Sequence, residues 1–276
     1  MRNYNDEEKQ LGLEDTPEEF VNNLVKVFRE VKRVLRDDGT VWLNLGDSYN
    51  AGRNGGHAGG SKQNHKKYLQ RSGANVVGLK PKDLIGIPWR VALALQQDGW
   101  YLRQDIIWHK PNPMPESVKD RCTKAHEYIF LLSKNPKYYF DNEAIKEDAK
   151  YPDGPTSAHA IRKGVGDPKM QTRNGLHKIG ANPKRNKRSV WTVTTKPFKG
   201  AHFATFPMDL IEPCVLAGCP ENGTVLDPFA GSGTTGIVAA NNERNAVLLE
   251  LNEEYINLAK ERINTQIGLW AEVVDD

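Results

Sequence analysis

The chain has 276 residues, of which 38% are hydrophobic and 26% charged, and a formal net charge of +3. This composition is typical of a globular protein with one large domain, or one domain with an inserted module. No window offers the roughly 18 continuous apolar residues of a membrane span, and MRNYNDEEKQ lacks the apolar core of a signal peptide. We therefore exclude a membrane partner and expect a cytoplasmic protein.

Helices and strands alternate along the sequence. The first helix begins at Thr16-Pro17-Glu18-Glu19, where Thr16 can cap and Pro17 suits the first helical position. Alternation of this kind predicts an α/β fold with a largely parallel sheet. The predicted helices cover residues 16–36, 88–97, 207–218, 234–242 and 253–266, and the predicted strands cover 40–46, 100–108, 127–133, 224–227 and 245–250. Residues 51–75 read as a loop, and 150–190 as an irregular segment.

Positive charge is concentrated between residues 150 and 199. Twelve Lys and Arg residues fall there, opposed only by Asp153 and Asp167, so the rest of the chain is net acidic. A basic module on an acidic body predicts a polyanionic partner. The run KRNKR at 184–188 also fits a solvated face. Three sparse cysteines, Cys122, Cys214 and Cys219, indicate free thiols and no metal site.

The segment TVLDPFAGSGTTG, residues 224–236, is the most specific motif in the sequence. A β-rich run ends at Asp227, a turn containing Gly231 and Gly233 follows, and then a helix begins. The next strand ends in Glu250, where a carboxylate can accept hydrogen bonds from both ribose hydroxyls of a nucleoside. The loop lacks a Walker A lysine, so it is not a phosphate loop of that type, while a dinucleotide stays open.

This loop and several other stretches resemble S-adenosylmethionine-dependent DNA methyltransferases that act on exocyclic amino groups. The stretches GTVWLNLGDSYN, DGWYLRQDIIWHKPNPMPESVKDRCTKAHEYIFLLSK and KYYFDNEAIKE are similar to the middle of the permuted, beta-group members. GAHFATFPMDLIEPCVLAG and LLELNEEYINLAKERI are similar to the segments flanking their glycine loop. The resemblance covers nearly the whole chain. It implies a Rossmann-like α/β methyltransferase sheet in permuted order, with an irregular basic target-recognition insert.

The resemblance also implies a function and a division of labour. Residues 1–145 would form the target-base half, 146–199 the DNA-recognition insert and 200–276 the cofactor half. The chain would transfer a methyl group from S-adenosylmethionine to cytosine N4 or adenine N6 of a base flipped out of double-stranded DNA. A homodimer and a cognate restriction enzyme stay open as partners.

Individual residues receive roles from the same resemblance. Phe206 and Phe229 also fit plain core aromatics, so a second interpretation stays open for both. By the resemblance, the cofactor residues would be Phe206, Asp227, Phe229, Gly231, Gly233, Thr234 and Glu250. The DNA-binding residues would be Lys110, Asn112, Lys184, Arg185, Lys187 and Arg188.

The stretch NLGDSYN, residues 44–50, poses a separate question about catalysis. The family holds the target amine with an acidic, amide or hydroxyl residue, two prolines and an aromatic residue, and this sequence has no Pro-Pro pair. Asp47 and Tyr49 are the catalytic candidates, but they follow the long helix, whereas the proline loop precedes it. We therefore expect them to form a neighbouring wall of the pocket.

The start of the chain resembles the segment that comes just after the proline loop in the family. We therefore expect a strand to be lacking between the strands that end near Asp227 and Asp47, with unpaired backbone on both sides. A truncated start at Met1, where relatives often have Leu, is our hypothesis for this. An inactive remnant that binds DNA or cofactor is the rival hypothesis. For the function, a nicotinamide-dependent oxidoreductase built on the same glycine loop is a more distant alternative.

Overall fold

The computed structural model describes residues 11–12, 14–50, 79–149, 184–195, 205–268 and 273–274. The chain divides into two compact units, one of Met1–Tyr139 with Ser189–Asp276 and the other of Phe140–Arg188. The loop predicted over 51–75 and most of the irregular segment lie outside the described residues. The functional division at 145 and 199 stays a prediction. Within the described ranges, no helix is long and apolar enough to cross a membrane.

The observed elements follow the predicted order closely. Additional short strands occur at residues 147–148, 184–185 and 190–192, where the sequence shows no clear alternation. In chain order the elements are α1 (Pro17–Val34), β1 (Thr40–Leu45), α2 (Ile87–Gln97), β2 (Tyr101–His109), β3 (His126–Ser133), β4 (Glu147–Asp148), β5 (Lys184–Arg185), β6 (Val190–Thr192), α3 (Met208–Gly218), β7 (Thr224–Asp227), α4 (Thr234–Asn241), β8 (Asn245–Leu248) and α5 (Glu253–Ile267).

Helix α1 begins as its sequence predicts. The Thr16 hydroxyl accepts a hydrogen bond from the Glu19 N–H at 3.1 Å, and Pro17 opens the first turn. One face of the helix contributes to the hydrophobic core. Its buried residues are Pro17, Val21, Leu24, Val25, Phe28 and Val31.

The main sheet has four strands in the order β1-β3-β2-β6. Strand β3 is antiparallel to both β1 and β2, and only the β2–β6 pair is parallel. The prediction of a largely parallel sheet is therefore wrong for this part. Since β2 and β3 are joined by a loop across one edge, they pair as a hairpin and not through a crossover.

Helices cover both faces of this sheet, so β3 is buried on both sides. Phe130 and Leu132 face a core that includes α1 and α2. Ile129, one residue along and therefore on the opposite face, joins a second core with Trp108 and Leu210 of α3. The result is a three-layer arrangement, with α1 and α2 on one face of the sheet and α3 on the other.

A second sheet contains β7 and β8 alone among the described strands. The two pair in parallel around α4, which confirms the predicted βαβ unit. Leu226 of β7 packs against the core under α1 and α2, yet β7 is not hydrogen-bonded to β1. The expected interruption between the strands ending near Asp227 and Asp47 is thus present in the part of the chain that the structure describes.

Candidate active site

The loop between β7 and α4 is organised by the carboxylate at the end of β7. One oxygen of Asp227 accepts a hydrogen bond from the Phe229 N–H at 3.0 Å, and the other accepts one from the Thr235 hydroxyl at 2.5 Å. The chain then passes through Gly231 and Gly233 with φ of +52° and +74°, values that favour glycine. Asp227 therefore fixes the shape of the loop, and its contact with a cofactor stays a prediction.

Glu250 connects this loop to the turn after β8. One carboxylate oxygen accepts the Gly231 N–H at 2.8 Å, and the other accepts the N–H groups of Leu251 and Asn252 at 2.9 and 3.0 Å. Asn252 in turn caps α5. The carboxylate is thereby held at the mouth of the glycine loop, where its remaining lone pairs can accept further hydrogen bonds.

Helix α5 holds the loop from behind through Arg262. Its guanidinium donates hydrogen bonds to the Ser232 carbonyl, to the Ser232 hydroxyl at 2.6 Å and to the Thr234 hydroxyl at 3.4 Å. Burial lowers the pKa of Arg262, but an arginine stays charged at neutral pH. A β-carbon at Gly233 would lie 2.9 Å from the Ala259 methyl, so helix and loop are in close contact.

Sequence reasoning missed Arg262. Its only signal is the spacing of three residues from Ala259, which places both on one face of a helix. Thr234, a predicted cofactor residue, is only 5% exposed and lies on this rear side of the loop. Its direct contact with a cofactor stays a prediction.

The front of the loop is open and partly apolar. A β-carbon at Gly231 would meet nothing within 4 Å. Phe229 is 47% exposed, which excludes its interpretation as a core aromatic, and Leu249 and Leu251 are exposed as well. An accessible backbone, apolar side chains and the Glu250 carboxylate suit a ligand with a flat ring and a ribose.

Phe206 instead packs partly buried against the α3 core, and its cofactor contact stays a prediction.

Asp47 lies at the end of β1, where it fastens the start of α2. One carboxylate oxygen accepts the N–H groups of Ser48, Gly86 and Ile87 at 2.9, 3.0 and 3.2 Å. Helix N-termini carry unpaired N–H donors that a carboxylate satisfies well. Asp47 thus caps a helix that begins 39 residues later in the sequence. This structural role agrees with the expectation that Asp47 forms a wall of the pocket, and it gives no direct sign of catalysis.

The residues after Asp47 are held in the same way. Tyr49 forms an antiparallel bridge with Leu84, and the Arg121 guanidinium lies 3.9 Å from the centre of its ring. The buried Asn50 side chain donates hydrogen bonds to the carbonyls of Leu79 and Lys80, both at 3.1 Å. The GDSYN stretch is therefore a fixed platform, and the catalytic role of Tyr49 stays a prediction.

The predicted DNA-binding residues at the end of β2 are engaged within the protein. Lys110 forms an ion pair with Glu127 and lies 4.1 Å from the centre of the Trp108 ring. The Asn112 amide exchanges two hydrogen bonds with the Thr195 backbone, at 3.0 and 3.1 Å. Both side chains shape the loop that follows β2, and their contact with DNA stays a prediction.

The other end of that loop is organised by Glu116. Its carboxylate accepts hydrogen bonds from the Arg121 guanidinium at 2.6 Å and from the Lys124 N–H at 3.2 Å, and these bonds lower the pKa of Glu116. Burial lowers the pKa of the Lys124 ammonium. Burial also lowers the pKa of His126, helped by the nearby charge of Lys124. The sequence predicts none of these pairings, because they join residues five to eight apart within a loop.

Comparison with known proteins decides between the candidate families. Residues 2–261 match the DNA methylase family of N6- and N4-methyltransferases. The chain belongs to the DNA methylase family. It is 50% identical over 256 residues to the Type II methyltransferase M.SmaI of Serratia marcescens, and this match covers 92% of the chain and 77% of M.SmaI. It is 48% identical over 263 residues to the Type II methyltransferase M.Cfr9I of Citrobacter freundii, and this match covers 95% of the chain and 77% of M.Cfr9I.

Solved methyltransferase structures share the fold of this methylase. The PvuII DNA methyltransferase, described as cytosine-N4-specific, has a TM-score of 0.58 at 16% identity. The superposition covers 96% of this chain and 80% of the PvuII chain. TTHA0409 of Thermus thermophilus, complexed with S-adenosyl-L-methionine, has a TM-score of 0.55 at 23% identity and covers 91% of the chain and 79% of its own. The Rossmann-like α/β methyltransferase fold is confirmed, and the permuted order stays a prediction.

The basic residues of the methylase's second unit form ion pairs within that unit. Strand β5 is antiparallel to β4, and Lys184 pairs with Asp148 at 2.7 Å. Glu147 pairs with Arg185 at 3.0 Å and with Arg188 at 2.8 Å. These acids lie just before the segment counted as basic, so the charge available to DNA is smaller than the sequence indicates. DNA binding by these residues and Lys187 stays a prediction.

Proposed function

We propose that this methylase transfers a methyl group from S-adenosylmethionine to the exocyclic amino group of a base in double-stranded DNA. The observation that supports the proposal most is the loop from Asp227 to Thr235, closed at its mouth by Glu250. Family membership supplies the class of reaction. We favour cytosine N4 over adenine N6, from the overall resemblance of the sequence.

The residues of the loop fit this cofactor. Glu250 would accept hydrogen bonds from the ribose hydroxyls, since its carboxylate is already held in place by three backbone N–H groups. The exposed ring of Phe229 and the bare backbone at Gly231 would receive the apolar parts of the ligand. When bound, S-adenosylmethionine supplies an activated methyl group on a sulfonium centre.

The other half of the methylase would receive the target base. A duplex hides its amino groups in the base stack, so the base has to leave the helix before it reacts. Asp47 and Tyr49, held between the end of β1 and the start of α2, would form one wall of the receiving pocket. A homodimer, a cognate restriction enzyme and a cytoplasmic location belong to this proposal as well.

Methyl transfer from tritiated S-adenosylmethionine to unmethylated genomic DNA tests the proposal. The 276-residue chain should label the DNA, and sequencing of the modified bases should locate one short recognition sequence carrying N4-methylcytosine or N6-methyladenine. Cofactor binding measured by calorimetry is the parallel assay. A chain that binds neither S-adenosylmethionine nor DNA would contradict the proposal.

A second candidate function is binding of DNA or cofactor without methyl transfer. The separation of β7 from β1 in the described structure favours it, because both strands present an unpaired edge there. The chain spans 77% of M.SmaI, so a version that carries the relative's additional sequence is the matched comparison. Labelling only by the longer version would support this second candidate for the chain of 276 residues. Equal labelling by both versions would contradict it. The oxidoreductase alternative gains no support from the family match.

A further inference from the structure

The loop between β2 and β3 carries a highly exposed apolar side chain. Met114 is 80% exposed, more than any other large hydrophobic residue in the described part of the chain. It stands between Pro113 and Pro115 in the stretch PNPMP. Single exposed apolar residues are common on protein surfaces, so exposure alone assigns no role to Met114.

The way in which the loop is built distinguishes Met114 from such residues. Two prolines restrict the backbone on both sides of it, because each fixes its own φ and disfavours a helical residue before it. On one side the Asn112 amide is locked to Thr195 by two hydrogen bonds. On the other, Glu116 is locked to Arg121. A long, flexible, apolar side chain is thus presented from a rigid base.

The loop also lies at the functional edge of the sheet. It follows the carboxyl end of β2, and ligands of open α/β sheets bind beyond the carboxyl ends of strands. Arg121 places the loop against Tyr49, which follows the carboxyl end of β1. Residues 110–125 contain four basic and two acidic side chains. Because Lys110 pairs with Glu127 and Arg121 with Glu116, Lys119 and Lys124 supply the charge that favours approach to a phosphate backbone.

We propose that Met114 is a wedge that enters the DNA base stack and occupies the space left by the flipped target base. Apolar side chains, methionine among them, separate base steps in this way in other DNA-binding proteins. A thioether chain suits the task because it is polarisable and adapts to the faces of different bases. This inference rests on the proposed function, since it assigns a step of base flipping to a residue.

Replacement of Met114 tests the wedge. M114A and M114Q should reduce methylation of a matched duplex at subsaturating DNA by about tenfold, because the opened stack is no longer filled. M114L should retain activity within twofold of the parent. A duplex with a mismatch at the target base, whose opening costs less, should restore M114A and M114Q to within twofold. V34A removes another exposed aliphatic group, at the end of α1, and should leave both substrates unaffected.

A binding measurement tests the wedge when no methyl transfer occurs. The parent chain should bind a duplex with one abasic site more tightly than the intact duplex, because the gap receives the Met114 side chain. M114A should bind both duplexes equally. Equal preference for the abasic duplex by parent and M114A, or equal methylation of the matched duplex, would overturn the wedge while leaving the proposed methyltransferase activity intact. All variants should keep the parent's melting temperature, as Met114 is 80% exposed.

Discussion

At the scale of single residues, the glycine loop combines two different requirements for glycine. Gly233 needs both its positive φ and the absence of a side chain, because a β-carbon there would meet Ala259. Gly231 needs only its positive φ within the protein, since the space around it is open. The open space at Gly231 is where a ligand can approach the backbone most closely. A substitution at Gly231 therefore tests ligand binding without disturbing the packing of the protein.

The variant G231V should abolish binding of S-adenosylmethionine while leaving the chain folded. A branched side chain would fill the open space and strain the positive φ. G268V is the matched control, since Gly268 also has a positive φ, +59°, and also has nothing within 4 Å of a β-carbon. Calorimetry should show cofactor binding by G268V and none by G231V. Normal binding by G231V would place the cofactor elsewhere.

At the scale of secondary-structure elements, side chains from one element hold the ends of another. Asp47 after β1 satisfies the first N–H groups of α2, and Arg262 of α5 holds the loop before α4. In both cases the partners are tens of residues apart in sequence. Each contact converts a local loop conformation into a property of the packed fold.

Removal of the Asp47 carboxylate should therefore affect stability more than chemistry. D47A should lower the free energy of unfolding by about 1–2 kcal/mol, the usual cost of losing a helix cap or a charge-assisted hydrogen bond. D47N keeps an acceptor oxygen and should lose less than half of that, with methyl transfer close to the parent rate. Urea unfolding and the tritium assay measure the two effects. A large loss of activity in D47N at unchanged stability would instead make Asp47 catalytic.

Arg262 should act on the cofactor through the loop that it holds. R262Q should weaken S-adenosylmethionine binding by roughly tenfold, the equivalent of one lost charge-assisted hydrogen bond. The KM for DNA and the rate at saturating cofactor should stay unchanged, which a general loss of folding would not allow. R33Q removes the same group from an exposed position on α1 and should have no effect. Cofactor affinity of R262Q within twofold of the parent would exclude this role.

At the scale of the whole molecule, the sequence predicts the elements better than their pairing. The capping signal at Thr16 predicted the start of α1, and the predicted bounds of α5 agree with the observed ones to within one residue. The glycine motif predicted that Asp227, Gly231 and Glu250 belong to one loop system. The antiparallel β3 could not be predicted from alternation of helices and strands. Neither could Arg262 or the Glu116–Arg121 pair, because hydrogen bonds between distant or looped side chains leave no periodic signal.

The ion pairs within the second unit should limit how tightly this unit binds DNA, because they neutralise its basic side chains. The double variant E147Q/D148N should release Lys184, Arg185 and Arg188 for phosphate contacts. DNA binding at low salt should then tighten, and its dependence on salt should steepen by about 0.9 in log–log slope for each added contact. The variant E19Q/E221Q changes the net charge equally at two exposed positions outside the second unit and serves as the control. Fluorescence anisotropy across a salt series distinguishes the two, and identical slopes would exclude these residues from the DNA interface.

The separation of the two sheets has a consequence for how the molecule opens. Strands β7 and β8 pair across a short stretch of sequence and carry their own small core, which contains Ile237, Ile263 and Ile267. Such a contiguous element, whose two strands pair only with each other among the described strands, is a candidate for a separate cooperative unit, able to unfold while the four-stranded sheet stays closed. Opening it would release Asp227 and Glu250 together. The fraction of molecules with this unit folded would then set the apparent affinity for cofactor. Mild heating would therefore abolish cofactor binding before the rest of the methylase unfolds.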